Sequence, residues 1–235
     1  MIPTAQVWEM RPQSVVDTTR DPIHTAFRVT VEVSDPVVAF GQHDAHLDGP
    51  LSWCVSQAAR SDGGRLPPMS DEWVADLALP IAIWVVDGRP ATPRAGAADG
   101  RVWGWACSRA HYTPVGHTAV QTRRMPNVEA MARYTKDRRF HSGLGPTKAR
   151  NQVTEAMWPG IIWWDALGDP DRTRELLTEH LTHVGRIVRH GNGTIHTVTV
   201  TPHDDRDAWR DRTWPSDVPH TIRAPYWHRS RKAQQ

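Results

Sequence analysis

Two stretches of this 235-residue chain carry residue types that suit a phosphate backbone. The first is Gly185-Arg186-Ile187-Val188-Arg189-His190-Gly191-Asn192-Gly193. Glycine adopts positive φ and lets a ligand come close to the main chain. Arginine offers a planar fork matched to phosphate oxygens. Arg186, Arg189 and His190 are therefore candidate contacts to a nucleic-acid backbone, together with Gly191, Asn192 and Gly193, which allow the close approach. The second stretch is 121–150. Here Arg123, Arg124, Arg133, Lys136, Arg138, Arg139, Lys148 and Arg150 meet only Glu129 and Asp137, a local +6 in a chain whose total is +2. Tyr134, Phe140 and His141 are interleaved with them. Cations neutralise phosphates, and ring faces stack on bases. Each stretch also has a plain alternative: a tight helix-to-strand turn for the first, a solvated charged loop for the second. Solvated faces usually mix signs, which tells against the second alternative.

Other chemistry is thinner. His141, Tyr134 and Lys136 have the acid–base character that metal-independent cleavage beside a 2′-hydroxyl requires, but loop spacing leaves their mutual geometry open. His43-Asp44-Ala45-His46 supplies two histidines and no second cluster to complete a metal set. Asp204-Asp205 has no partner motif, and neither a P-loop nor a GxSxG elbow is present. No metal and no cofactor is expected. Cys54 and Cys107 sit alone in apolar contexts and read as buried free thiols in a reducing cytoplasm. The N-terminus lacks a basic region followed by an apolar core, and the longest apolar run, Leu77 to Val86, is about half a bilayer span. The expectation is a cytoplasmic protein without a membrane partner. Arginine outnumbers lysine 25 to 3, which reads as genome composition and not as function.

The elements that must position these stretches follow from periodicity. Phe27, Val29, Val31 and Val33 alternate with polar residues, the period of a half-buried strand. The spacing of Leu47, Leu51, Val55 and Ala58 predicts a helix over 46–59, with Asp48 as its N-cap and Pro50 in its first turn. Ile81–Val86 and Arg101–Cys107 read as strands, as does Ile161–Trp164. Asp169-Pro170 opens a helix with Leu176, Leu177, Leu181 and Val184 on its apolar side. Thr194–Val200 is the last strand. Stripped of insertions, the order is strand, helix, strand, strand, helix, strand, which is the α+β, ferredoxin-like (RRM-like) βαββαβ order. The expected organisation is an N-terminal arm (1–25), a core (26–201) with the basic insertion 121–150 as a protruding hairpin or loop, and an irregular C-terminal extension (202–235).

Four segments in this order carry a resemblance: His46-Leu47-Asp48-Gly49-Pro50-Leu51, Ser142-Gly143-Leu144-Gly145-Pro146-Thr147-Lys148, the Gly185–Gly193 loop, and Arg223-Ala224-Pro225. Together they resemble the RAMP superfamily of CRISPR systems, in particular the subunit that holds the 5′ handle of the guide RNA in type IV effector complexes. The likeness spans about residues 26 to 227. It implies a ferredoxin-like fold and a subunit that caps one end of an RNA-guided complex. Its implied partners are the guide RNA, backbone RAMP subunits, a large subunit, and target DNA met through the complex. The 121–150 insertion would be a thumb gripping RNA, and the glycine loop would line the handle. Some relatives cleave precursor RNA, but no catalytic set matches here, so the expectation is a binder without catalytic residues. A metal-independent endoribonuclease and a protein-interaction domain remain the alternatives.

Overall fold

A computed structural model describes residues 8–9, 15–38, 45–63, 76–87, 89–90, 101–137, 139–143, 148–186, 188–218, 220–226, 228 and 231–234. In chain order these form β1 (Trp8–Glu9), β2 (Thr25–Val33), β3 (Val37–Val38), α1 (Asp48–Ser61), β4 (Asp76–Leu77), β5 (Ile83–Val86), β6 (Arg89–Pro90), β7 (Val102–Trp105), β8 (His111–Tyr112), β9 (Gly116–Arg124), α2 (Val128–Ala132), β10 (Arg150–Trp158), β11 (Ile161–Gly168), α3 (Pro170–His180), β12 (Ile195–Pro202), β13 (His220–Thr221) and β14 (Lys232–Gln234). The architecture is mixed α and β, with strands predominating. None of the described helices is long and apolar enough to cross a membrane.

The alternation in β2 sets the core. Phe27, Val29, Val31 and Val33 are all buried. They share a cluster with Leu51, Cys54 and Val55 of α1 and with Leu176 and Leu177 of α3. Each such side chain contributes about 1.5–3 kcal/mol on burial. β2 lies inside an antiparallel sheet of order β12-β2-β11-β8. The α1 helix packs on α3, and α3 packs on β12.

Several boundaries differ from the expectation for identifiable reasons. The last helix begins as expected: Asp169 accepts hydrogen bonds from the Asp171 and Arg172 amides, each at 3.0 Å, with Pro170 in the first turn. It ends at His180, because the chain then turns into a ladder in which the Ile195 amide donates to the Thr182 carbonyl and the Val184 amide to that of Gly193. Leu181 and Val184 reach the core from this extended segment. Asp48 is not the N-cap of α1: Leu47 holds that position without a side-chain bond. The Asp48 carboxylate is taken instead by the C-terminal extension.

The two strands at 81–86 and 101–107 pair mainly with each other, as β5 with β7. One end of the pair also meets β11, through bridges from Ile81 to Gly168 and from Cys107 to Ala166 and through backbone bonds of Ala82 and Ala106 to Leu167. The Trp84 and Trp103 indoles of this pair are buried in the same core cluster as Trp164 of β11. Within residues 15–24, expected as part of an arm, Asp17 and Thr18 bond to β5, while the Thr19, Asp21 and His24 carbonyls accept from Arg206. The Thr18 amide donates to the Ile83 carbonyl, and the Ile83 amide donates to the Thr18 hydroxyl, both at 2.9 Å.

Candidate nucleic-acid interface

The basic insertion is the outer part of a long hairpin. Strands β9 and β10 pair over nine residues each, from Gly116↔Trp158 at the root to Arg124↔Arg150 near the tip. At the tip, the Asn127 side chain caps the one-turn α2 by accepting from the Ala130 amide at 3.0 Å. Arg123, Arg124, Arg133, Lys136, Arg139, His141, Lys148 and Arg150 are all exposed. Tyr134 stands 88% exposed. Arg138 and residues 144–147 lie outside the described residues. Arg124 and Arg150 face each other directly across the ladder. Like charges so placed destabilise a hairpin, and among the described residues neither has an acidic partner.

The glycine loop is held by its own backbone. Gly185 (φ +95°) and Gly193 (φ +69°) lie in the left-handed region. A Cβ on Gly185 would fall 2.6 Å from Val37 Cγ1, and one on Gly193 would fall 2.0 Å from the Val184 carbonyl oxygen. Both glycines are thus required by packing inside the loop. Gly191 (φ +80°) has nothing within 4 Å of its would-be Cβ, so its open side faces solvent. Between them Val188–His190 make a 3-10 turn. Arg186 and His190 are exposed, whereas Asn192 is buried.

One short strand connects the two regions. The Arg186 amide donates to the Val38 carbonyl at 3.2 Å, and the Gly193 amide donates to that of Pro36 at 3.0 Å. On its other side, β3 pairs with the root of β10, Val38 against Ala156 and Val37 against Met157. The loop and the hairpin are therefore about two inter-strand spacings apart, on the order of 10 Å. Sequence reasoning missed this link, whose only signal is a pair of valines after Asp35-Pro36.

The remaining candidates go elsewhere. His141, Tyr134 and Lys136 share the hairpin tip, but among the described residues no hydrogen bond joins them. His46 is buried, accepts from the Thr213 amide at its Nε2 (3.1 Å) and stacks on Tyr226 at 5.4 Å. His43 and Asp44 lie outside the described residues, among which no cluster suits a metal ion. Asp205 caps a surface turn through the Asp207 amide. Both cysteines are free and buried, and burial pushes both thiols up to about 12.

Two of the four segments that carried the resemblance meet each other in the interior. The Asp48 carboxylate accepts from the Ala224 amide at 2.9 Å and from the Tyr226 hydroxyl. Arg223 donates to Asp76 at 3.1 Å and to the Trp103 carbonyl at 3.2 Å, with its guanidinium 4.1 Å from the Trp103 ring centroid. Arg231 reaches the same Asp76 oxygen at 2.6 Å. Burial opposes ionisation of Asp76, but the two guanidiniums outweigh it and hold the carboxyl below the usual carboxylate range. Burial dominates at Asp48 and raises its carboxyl, against the opposing pull of Arg212 and the Tyr226 bond. These groups form a latch between the C-terminal extension, α1 and β4.

A search of curated proteins finds no match. Comparison with models of protein families matches residues 110–234, just over half of the chain, to CRISPR type IV associated protein Csf3. The matched span holds the hairpin, β11, α3, the glycine loop, β12 and the latch arginines. With its basic hairpin and glycine loop joined through one strand, and with this match, the chain belongs to the CRISPR type IV associated protein Csf3 family.

Proposed function

We propose that this chain is the non-catalytic subunit that binds the 5′ handle of the guide RNA in a type IV CRISPR effector complex. The observation that carries this reading is the set of exposed cations on the hairpin, unpaired among the described residues and tied through β3 to the glycine loop. In this reading the hairpin grips RNA and the adjacent backbone subunit, while the loop lines the handle. Target DNA is met only through the assembled complex, where guide pairing chooses the sequence. The core is a RAMP-type ferredoxin-like domain. Its support is the strand order β12-β2-β11, followed at the β11 edge by residues 106–112, where the Ser108 amide donates to the Asp165 carbonyl and β8 pairs with Ile162 and Trp163.

The test is RNA affinity of the purified full chain as a function of salt. Phosphate contacts release counterions, so affinity falls steeply between about 50 and 200 mM salt. No RNA binding at low salt, alone or with co-expressed partner subunits, would sink this reading in favour of a protein-interaction domain. Incubation with labelled repeat RNA in the absence of metal addresses catalysis. Specific cleavage that His141→Ala abolishes would make the chain a ribonuclease instead.

A further inference from the structure

The two faces of the hairpin ladder differ in composition. β9 and β10 pair without a break in register from Gly116↔Trp158 to Arg124↔Arg150. Directly opposed residues share a face, and successive pairs alternate between the two faces. Arg124, Arg150, Gln152 and Ala156 therefore stand on one face, and Arg123, Gln121, Asn151, Val153 and Glu155 on the other. The Arg123 face satisfies itself. The Gln121 side chain donates to that of Asn151 at 2.9 Å, and His117 lies 3.6 Å from Glu155, the only acid in either strand. The Arg124 face has no acid, and Arg124, Arg150 and Gln152 are exposed on it. This face continues across β3, where Val38 opposes Ala156 on one side and Arg186 of the glycine loop on the other. Val38 and Ala156 are buried, and Arg186 is the exposed end of their row. The Arg150 and Ala156 rows are six residues apart, or about 20 Å along the ladder.

We propose that the bound RNA runs along the Arg124 face of the hairpin toward Arg186, with Gln152 as a further contact, and that the Arg123 face is turned away from it. This rests on the reading of the chain as an RNA-binding subunit. The register brings Arg186 of the loop to the same side of the sheet as Arg124 and Arg150, and to the side opposite Arg123. The two opposed arginines repel each other until an anion joins them, and no carboxylate on their face competes for the place. Gln152 follows them along the strand, and its amide carries both donors and an acceptor for a base edge or a 2′-hydroxyl. The span to Arg186 matches about six nucleotides at the rise of about 3.4 Å per nucleotide of one strand. On the Arg123 face Glu155 repels phosphate, and Gln121 and Asn151 already use hydrogen-bonding capacity on each other.

The experiment titrates the full chain with fluorescein-labelled oligouridylate at several salt concentrations between about 50 and 200 mM. It compares neighbouring residues that differ in face and carry the same substitution. Arg124→Ala, Arg150→Ala and Arg186→Ala are each expected to lower the slope of affinity against salt by about 0.7, the value for one phosphate on a single strand. Each weakens binding about 8-fold at 50 mM and about 3-fold at 200 mM, as that slope requires. Arg123→Ala leaves slope and affinity unchanged. Gln152→Glu, which sets an anion on the Arg124 face, weakens binding about 3- to 8-fold, as loss of one phosphate contact does. Val153→Glu, on the other face, stays within about twofold of wild type at 200 mM, where charges more than a Debye length apart are screened. All these positions are exposed on the ladder or the loop, so the variants keep the fold. Arg123→Ala as damaging as Arg124→Ala, or Val153→Glu as damaging as Gln152→Glu, overturns the choice of face and leaves the RNA-binding reading standing. Absence of RNA binding by the wild-type chain overturns both.

Discussion

In the corner closed by the C-terminal extension, Arg223 and Arg231 are buried and share one carboxylate, and Arg212 is buried against backbone carbonyls and the Trp84 ring. Along the hairpin, Arg123, Arg124, Arg139 and Arg150 are exposed, and the described residues offer them no acid. The same residue type thus serves cohesion in one region and stands exposed in the other, where the proposed function gives it a phosphate to meet. Burial and pairing, not residue counts, separate the two uses. Stripping a buried charge of its partner costs several kcal/mol because the remaining charge cannot return to water. Removing an exposed unpaired charge costs the fold almost nothing.

The most direct way to break this contrast is Asp76→Asn, which leaves two buried guanidiniums without their carboxylate. A loss of about 3–5 kcal/mol is expected, a large share of a typical domain's stability, and urea unfolding measures it. A stable Asp76→Asn variant would mean that the corner is not held by its charges. Tyr226→Phe follows, with an expected loss of about 1.5–3 kcal/mol at neutral pH for a bond to a charged group. The Asp48 carboxyl is raised in the fold, so it gains protons as pH falls while the unfolded chain does not. The cost of losing the Tyr226 bond should therefore shrink in mild acid, and unfolding across pH would show a constant cost if Asp48 stays ionised. Asp76 has the opposite sign. Its contribution is complete above about pH 3.9, the ordinary value for aspartate, and disappears as pH falls through its lower folded value.

Gly193→Ala tests the loop by placing a Cβ against the Val184 carbonyl at a positive φ. It should cost about 1–3 kcal/mol, read as a lowered unfolding midpoint. Combined Arg124→Ala and Arg150→Ala should leave stability within about 0.5 kcal/mol of wild type. The salt slope of single-stranded RNA binding should fall by about 1.4, the value for two phosphate contacts. An unchanged slope would assign those arginines to something other than phosphate. The smallest expected effect is on the thiols: Cys54 and Cys107 should resist a thiol reagent at neutral pH until the chain is denatured.

The central strand, both main helices and the hairpin were legible because each has a strong local signal. The period of two in Phe27–Val33, the Asp169-Pro170 cap and the one-signed charge of 121–150 are all read from neighbouring residues. The latch was not, because its members meet across long sequence separations, 147 positions from Arg223 to Asp76. Asp48 shows the limit most clearly. Its local context signals a cap, and a tertiary demand from Ala224 and Tyr226 overrides it. In the candidate site, the exposed cations were recognised as such, while the strand joining loop to hairpin is two residues long and carries too little pattern to read. Asn192 and Gly193 looked like part of a contact surface, yet Asn192 is buried and Gly193 is required by the Val184 carbonyl.

The separation between Asp76 and Arg223 also sets an order of events during synthesis. At about 5–20 residues per second, a ribosome needs about 7 to 30 s to travel from one to the other. Throughout that interval Asp76 lacks the counterions that make its burial tolerable, so the wall formed by β4 and β7 cannot close around it. The first half of the polypeptide must wait, partly hydrated, for the arginines that come last. Codon usage or a bound chaperone acting in that window would govern yield without touching any RNA contact.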